Sequence, residues 1–191
     1  MSVAAIVLAA GDSSRLRTPK QLVKVSGETL LARTVRVALA GGLDPVLVVI
    51  AAGRESDFGR SGVNAAEILL VANVEAVEGM ASSIRAGVRA LQGMTAKTPV
   101  GVVLLACDQP AVTREHLAEL ALGVDEVVAS AYAGRRGVPA YFPVSVFEDL
   151  LELRGDTGAR ELLQAARAVA LKDGEFDVDT AEDVERVKRF E

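Results

Sequence analysis

The chain has 191 residues, 50% of them hydrophobic and 25% charged, with 6 prolines and a formal charge of −5; this is globular usage, sized for a single domain over 1–191, and it excludes a disordered chain. The acidic balance and scattered Lys and Arg argue against a nucleic-acid partner, which needs clustered cations. Cys107 is the single cysteine, so neither an internal disulfide nor a paired-cysteine zinc site can form, and a reducing, cytoplasmic setting is expected.

The opening apolar segment lacks a basic flank and runs straight into glycine and charge, so it reads as a buried strand over Ala4 to Leu8 and not as a signal peptide. Thr29 to Ala40 sets Leu30, Leu31, Val35, Ala38 and Leu39 on one side and closes on Gly41-Gly42, the pattern of an amphipathic helix with a stop signal. Further strands are expected at Val46 to Ala51, Glu67 to Val71, Val100 to Leu105 and Val127 to Ala131, several of them nearly continuous Val, Ile and Leu as in strands covered on both faces. Met80 to Leu91 and Thr113 to Leu122 read as crossover helices, with His116 solvated on the second. Gly134-Arg135-Arg136-Gly137 looks like a turn leading into a returning strand, Val138 to Phe142. Helices are expected at Ser145 to Leu153, Gly158 to Ala166 and Thr180 to Phe190, the last opened by Thr180 with Asp183 three residues on. This alternation predicts an α/β fold, a Rossmann-like three-layer sandwich around a mostly parallel sheet. No apolar run is long enough to span a bilayer, and no membrane partner is expected.

In such sheets ligands sit beyond the carboxyl ends of the strands, so the loops there matter most. Leu8-Ala9-Ala10-Gly11 ends the first strand in small residues whose backbone N–H groups can approach an anion, and Ser13, Ser14, Arg15 and Lys20 follow. Arg15 and Lys20 are candidates to neutralise a triphosphate; the plain alternative is a turn-rich surface loop with two solvated cations. With one glycine and no Gly-Lys-Ser or Gly-Lys-Thr, the loop is neither a Walker motif nor a dinucleotide fingerprint. Cys107-Asp108-Gln109-Pro110 follows another buried strand and projects Asp108 as a candidate Mg²⁺ ligand, while Cys107 reads as a buried structural thiol. Phe176-Asp177-Val178-Asp179-Thr180 alternates carboxylates, so Asp177 and Asp179 share a face and either could meet the same metal; the plain reading is acids at a helix start. Asn73 offers a donor and an acceptor to a base or ribose, and Ser82 or Ser83 can cap the helix that follows.

The opening loop resembles the signature of the molybdenum cofactor guanylyl- and cytidylyltransferase-like family in Leu8, Ala9, Ala10, Gly11, Ser13, Arg15, Pro19 and Lys20; Arg17 stands where that family has glycine. Asp108-Gln109-Pro110, the Gly79-Met80 to Ser83 stretch and the run from Asp177 to Asp183 are similar to further motifs of the family, with Cys107 in place of a glycine and Ala181 in place of a proline. The resemblance implies a nucleotide-diphospho-sugar transferase-like fold and a Mg²⁺-dependent nucleotidyltransferase. It implies catalytic Arg15, Lys20 and Asp108, and metal ligands Asp108 and Asp179. Nucleotide contacts would come from Leu8, Ala9, Ala10, Gly11, Ser13, Ser14, Arg15, Lys20, Asn73, Ser83 and Asp108, and acceptor contacts from Gly137, Pro139 and Arg160. The partners it implies are a nucleoside triphosphate, with Leu8-Ala9-Ala10-Gly11 favouring CTP, and a phosphorylated small molecule of which molybdopterin is one candidate. Val74 where the cytidylyl branch has proline, and the absence of tryptophan, stand against molybdopterin. A second reading is a nucleotide-binding accessory protein of molybdoenzyme maturation that has lost catalysis.

Overall fold

The computed structural model describes residues 2–11, 16, 18–94 and 99–187. The first half runs β1 (Val3–Leu8), the short hairpin β2 (Lys24–Val25) and β3 (Glu28–Thr29), α1 (Leu30–Ala40), β4 (Val46–Ala51), α2 (Glu55–Arg60), β5 (Leu69–Asn73), α3 (Met80–Gln92) and β6 (Gly101–Ala106). The second contains α4 (Arg114–Leu120), β7 (Val128–Tyr132), β8 (Arg135–Pro143), α5 (Phe147–Glu152), α6 (Arg160–Leu163), β9 (Arg167–Ala170) and α7 (Ala181–Arg186).

Among the described residues the main sheet has seven strands in the order β5-β4-β1-β6-β8-β7-β9, and β8 alone runs against its neighbours. The alternation of side chains sorts each strand between two apolar layers. Ala5, Val7, Val103 and Leu105 pack with Leu31 and Val35 of α1 and Leu117 of α4. Ala4, Ile6, Val102 and Leu104 face the other way, onto Ile84 and Val88 of α3 and Phe147 and Leu150 of α5. Both faces are therefore covered, which is why these strands read as unbroken apolar runs.

From β1 the chain moves outward through β4 to β5 and then crosses to β6 on the opposite side of β1. Strand order reverses between β1 and β6, and the crevice at such a switch point is where an open α/β sheet binds its ligand. The register pairs Leu8 with Ala106, so the loops after β1 and β6 leave the sheet side by side.

Several expectations need correction. The expected strand from Glu67 lies further on, because Asn64 caps a short 3₁₀ turn at Ala65–Glu67 and delays β5 to Leu69. The expected helix over 158–166 is reduced to α6; the N–H of Arg167 bonds the carbonyl of Val127 at 3.0 Å and draws the chain into β9, an edge strand with only Val169 buried. Four residues with one buried position carry too little periodicity to announce a strand. The turn between β7 and β8 is at Ala133-Gly134, whose φ of 47° and 71° suit a two-residue hairpin, so Arg135 to Gly137 belong to β8. His116 is not solvated: it is 7% exposed, with Nε2 2.7 Å from Ser130 Oγ, and its burial holds its pKa below the ordinary histidine value. It shares the buried face of α4 with Leu117 and Leu120, which the charges at Arg114 and Glu115 disguised.

Gly87 shows how closely α3 lies on the sheet. A Cβ there would come within 2.8 Å of the Ile6 side chain, in the middle of β1. Alanine would gain up to about 1 kcal/mol in helix propensity, but overpacking a core costs roughly 1–3 kcal/mol. Gly87→Ala is expected to lower the thermal midpoint despite the better helix former, measured by calorimetry.

Candidate active site

The candidate site is assembled from three segments far apart in sequence. Ala9, still tied to β4 by its N–H to the Val49 carbonyl at 2.9 Å, is buried, and Ala10 and Gly11 emerge beyond it. Ser13, Ser14 and Arg15 lie outside the described residues. The chain continues through buried Leu16 to a 3₁₀ turn, Lys20–Leu22, that carries Lys20. From β6 the chain leads into Cys107 and Asp108. The third segment, 176–179, is held against the second by the N–H of Val178 donating to the Asp108 carbonyl at 3.0 Å.

A small apolar cluster, separate from the two sheet layers, locks the first segment to the third: Leu16, Val23, Val25 and Leu30 pack with Phe176, Val178 and Val187. Val178 turns inward, so its neighbours Asp177 and Asp179 are turned the other way. Asp183 then fixes the backbone after them. Its Oδ2 accepts from the N–H groups of Asp179 (3.2 Å) and Thr180 (2.9 Å), while the Thr180 hydroxyl accepts from Asp183 N–H in a capping box at the start of α7.

This frame brings Lys20, Asp108 and Asp179 together. The Lys20 ammonium donates to Asp108 Oδ2 at 2.9 Å and also to Asp179 Oδ1. Partial burial works to lower the lysine pKa, but the charge of Asp108, the hydrogen bonds to both carboxylates and the charge of Asp179 overcome it and hold Lys20 well above the ordinary lysine value. Asp177 is the third acid here. Burial, reinforced by the charges of Asp108 and Asp179 and opposed by Arg135 and Lys20, pushes its pKa up from 3.8 to about 6. The Cys107 thiol is buried and pushed up to about 12, by burial first and the Asp108 charge second, so it is inert as a nucleophile.

The first four of the nucleotide candidates sit where β1 opens into the crevice: Leu8 closes the strand, and Ala9, Ala10 and Gly11 lead out of it. Asn73 and Ser83 are placed otherwise. Asn73 is 4% exposed; its Nδ2 donates to Ser82 Oγ (2.8 Å) and Ser83 Oγ (3.0 Å), and its Oδ1 accepts from Glu75 N–H. Both ends of the amide thus hold the turn between β5 and α3. Neither serine caps the helix: Gly79 occupies the cap position, and the N–H groups of Met80 and Ala81 bond Asp156 Oδ1 and the Gly155 carbonyl. Of the acceptor candidates, Gly137 and buried Pro139 lie in β8 and Arg160 is exposed at the start of α6. A Cβ on Gly137 would collide with the Tyr132 hydroxyl, so that glycine makes room for Tyr132.

The model of the MobA-like NTP transferase domain matches residues 5–170. The chain belongs to this family. Among its relatives is the purine catabolism protein PucB of Bacillus subtilis, 32% identical over 96% of this chain and 95% of its own length. The crystal structure of Rv0371c from Mycobacterium tuberculosis H37Rv superposes with a TM-score of 0.82 at 30% identity, covering 99% of both chains. A manganese complex of that protein gives a TM-score of 0.75 at 28% identity over 98% of both. This MobA-like chain is therefore a nucleotidyltransferase with the family's α/β architecture. None of its described helices is long and apolar enough to cross a membrane.

Two participants were not singled out beforehand. Gln109 follows Asp108 and is 6% exposed; its Nε2 reaches the Tyr132 hydroxyl at 3.5 Å and the Gly174 carbonyl at 3.4 Å, bridging the 107–110 loop to the approach of segment 176–179. Tyr132 is the second: its hydroxyl accepts from Gln109 and donates to the Val138 carbonyl at 3.0 Å. The sequence offered a signal for Gln109, its place within the acidic motif, but none for Tyr132, which is paired with these groups only by tertiary folding.

Asp177 gives the site a pH signature. Its raised pKa means that the folded MobA-like chain binds a proton more readily than the unfolded one between about pH 4 and 6; that contribution to stability is complete below the unfolded value and is lost as the pH rises through about 6. In metal-free protein Asp177→Asn removes the loss. The variant is expected to melt above the wild type at pH 7.5 by about 2–4 °C, for ~1 kcal/mol after allowance for solvent screening. The difference should shrink towards pH 4 in a series of melting curves.

Proposed function

We propose that this chain transfers the nucleotidyl group of CTP to a phosphorylated small molecule, releases pyrophosphate, and uses Mg²⁺ held by Asp108 and Asp179. The observation that carries this reading is the sharing of the Lys20 ammonium between those two carboxylates at the switch point of the sheet.

The donor set fits a hard divalent cation. Asp108 and Asp179 are carboxylates with side chains 19% and 43% exposed, drawn together by one lysine. Among the described residues no three His, Cys, Asp or Glu form a ready-made metal group, and Mg²⁺ characteristically takes one or two carboxylates and completes its shell with water and substrate phosphates. The manganese complex of Rv0371c supports a divalent ion in a relative of the same architecture. Once bound, the ion supplies positive charge where negative charge gathers on the triphosphate.

The chain's own groups do the rest. Lys20 stays protonated at neutral pH and balances one of the two carboxylate charges before ligand arrives. Small residues at Ala10 and Gly11 let phosphate oxygens approach backbone N–H groups, and Arg15 adds a second cation for the β- and γ-phosphates. An oxygen of the acceptor phosphate forms a bond to the α-phosphorus as the bond to the β-phosphate oxygen breaks, and pyrophosphate leaves with that electron pair. The attacking oxygen already carries its charge, so no general base is needed. This suits a site whose thiol is protonated and whose one histidine is buried against Ser130. Positioning and electrostatic stabilisation supply the acceleration.

Pyrophosphate release, measured with each of the four triphosphates and a panel of phosphorylated acceptors, tests this reading. Turnover should require Mg²⁺ or Mn²⁺, stop with chelator and be fastest with CTP. Asp108→Ala and Lys20→Ala should each lower it by roughly 10²–10³-fold. Nucleotide binding with no pyrophosphate release under any of these conditions would instead identify a nucleotide-binding accessory protein.

A further inference from the structure

The hairpin of β7 and β8 turns at the same edge of the sheet as Asp108, because β7 runs parallel to β6 and β8 starts where β7 ends. Along that edge the order is therefore the β1 loop with Lys20, then Asp108 after β6, then the hairpin tip. The tip lies on the far side of Asp108 from the proposed triphosphate loop, and it carries two arginines with different surroundings. Arg136 Nε donates to the Ala166 carbonyl at 2.9 Å and so fastens β8 to the chain before β9. Arg135, exposed, has its guanidinium carbon 5.2 Å from the centroid of the Tyr132 ring.

Tyr132 is an unusually well-fixed seat. It is 9% exposed, its hydroxyl donates to the Val138 carbonyl at 3.0 Å and accepts from Gln109, and Gly137 and Gly174 leave no room for a Cβ against it. A cation over such a ring is held in place while its N–H donors stay available. Among the described residues no carboxylate or carbonyl takes up the guanidinium donors of Arg135. Its charge nonetheless reaches the Asp177 carboxyl, which in turn feels Asp108 and Asp179.

We infer that Arg135, seated on Tyr132, is the acceptor-side cation of this site and receives a phosphate of the acceptor in the planar, two-point manner of a guanidinium. The inference rests on the nucleotidyltransferase reading above and adds a specificity-determining contact to it: acceptors must present an anionic group beyond Asp108, and uncharged analogues are rejected.

The test uses the full chain saturated with Mg²⁺ and a non-hydrolysable CTP analogue, titrated with inorganic phosphate in a calorimeter. Wild-type protein is expected to bind phosphate, and Arg135→Met to weaken that binding by roughly tenfold or more. Arg135→Lys, a point charge without the fork, should fall between them, and all three should bind the analogue equally. Tyr132→Phe, which keeps the ring, should bind phosphate as the wild type does. Unchanged phosphate affinity in Arg135→Met, or no phosphate binding to the wild type, overturns the inference and leaves the nucleotide reading standing. Failure of the wild type to bind the analogue overturns both.

Discussion

One ammonium group, that of Lys20, stands between the carboxylates of Asp108 and Asp179 and makes a site out of segments that the chain keeps apart by 88 and 159 residues. Without it two acids would face each other at the mouth of the crevice, with Asp177 close enough to add a third charge. Like charges at close range resist joint ionisation. The lysine relieves that repulsion without cancelling it, so that the proposed divalent cation and triphosphate would each meet a group of opposite charge.

The sheet supplies the place and the segments beyond its strands supply the chemistry. β1 and β6 set the switch point by their register, and the loops that leave them are neighbours because those two strands are paired in parallel. The described part of the first loop and the 176–179 segment then pack on one another through Leu16, Val23, Phe176 and Val178. This arrangement separates scaffold from site: the two large apolar layers hold the sheet, and a third, much smaller cluster aims the carboxylates.

How much of this was legible in the sequence follows from the range of the interactions involved. The Val, Leu and Ile runs of β1, β4 and β6 announce themselves because strands covered on both faces need no polar alternation, and the Thr29 and Thr180 caps are visible because capping is local. Asp108 and Asp179 were marked by type and by resemblance. Asn73 was read as offering its amide to a base or ribose, and the sequence could not reveal that the fold engages its Nδ2 with Ser82 and Ser83 and its Oδ1 with the Glu75 N–H. His116 was misread as solvated because its partner Ser130 lies on another element. The hairpin tip at Ala133-Gly134 was placed two residues late because Gly134 and Gly137 look alike in a sequence, although one turns the chain and the other clears space for Tyr132.

The third cluster has a further consequence. Among the described residues the first and third segments meet through seven buried side chains and the Lys20–Asp179 contact, a junction far less extensive than the layered interior of the sheet. Such a junction can open at a fraction of the free energy needed to melt the strands.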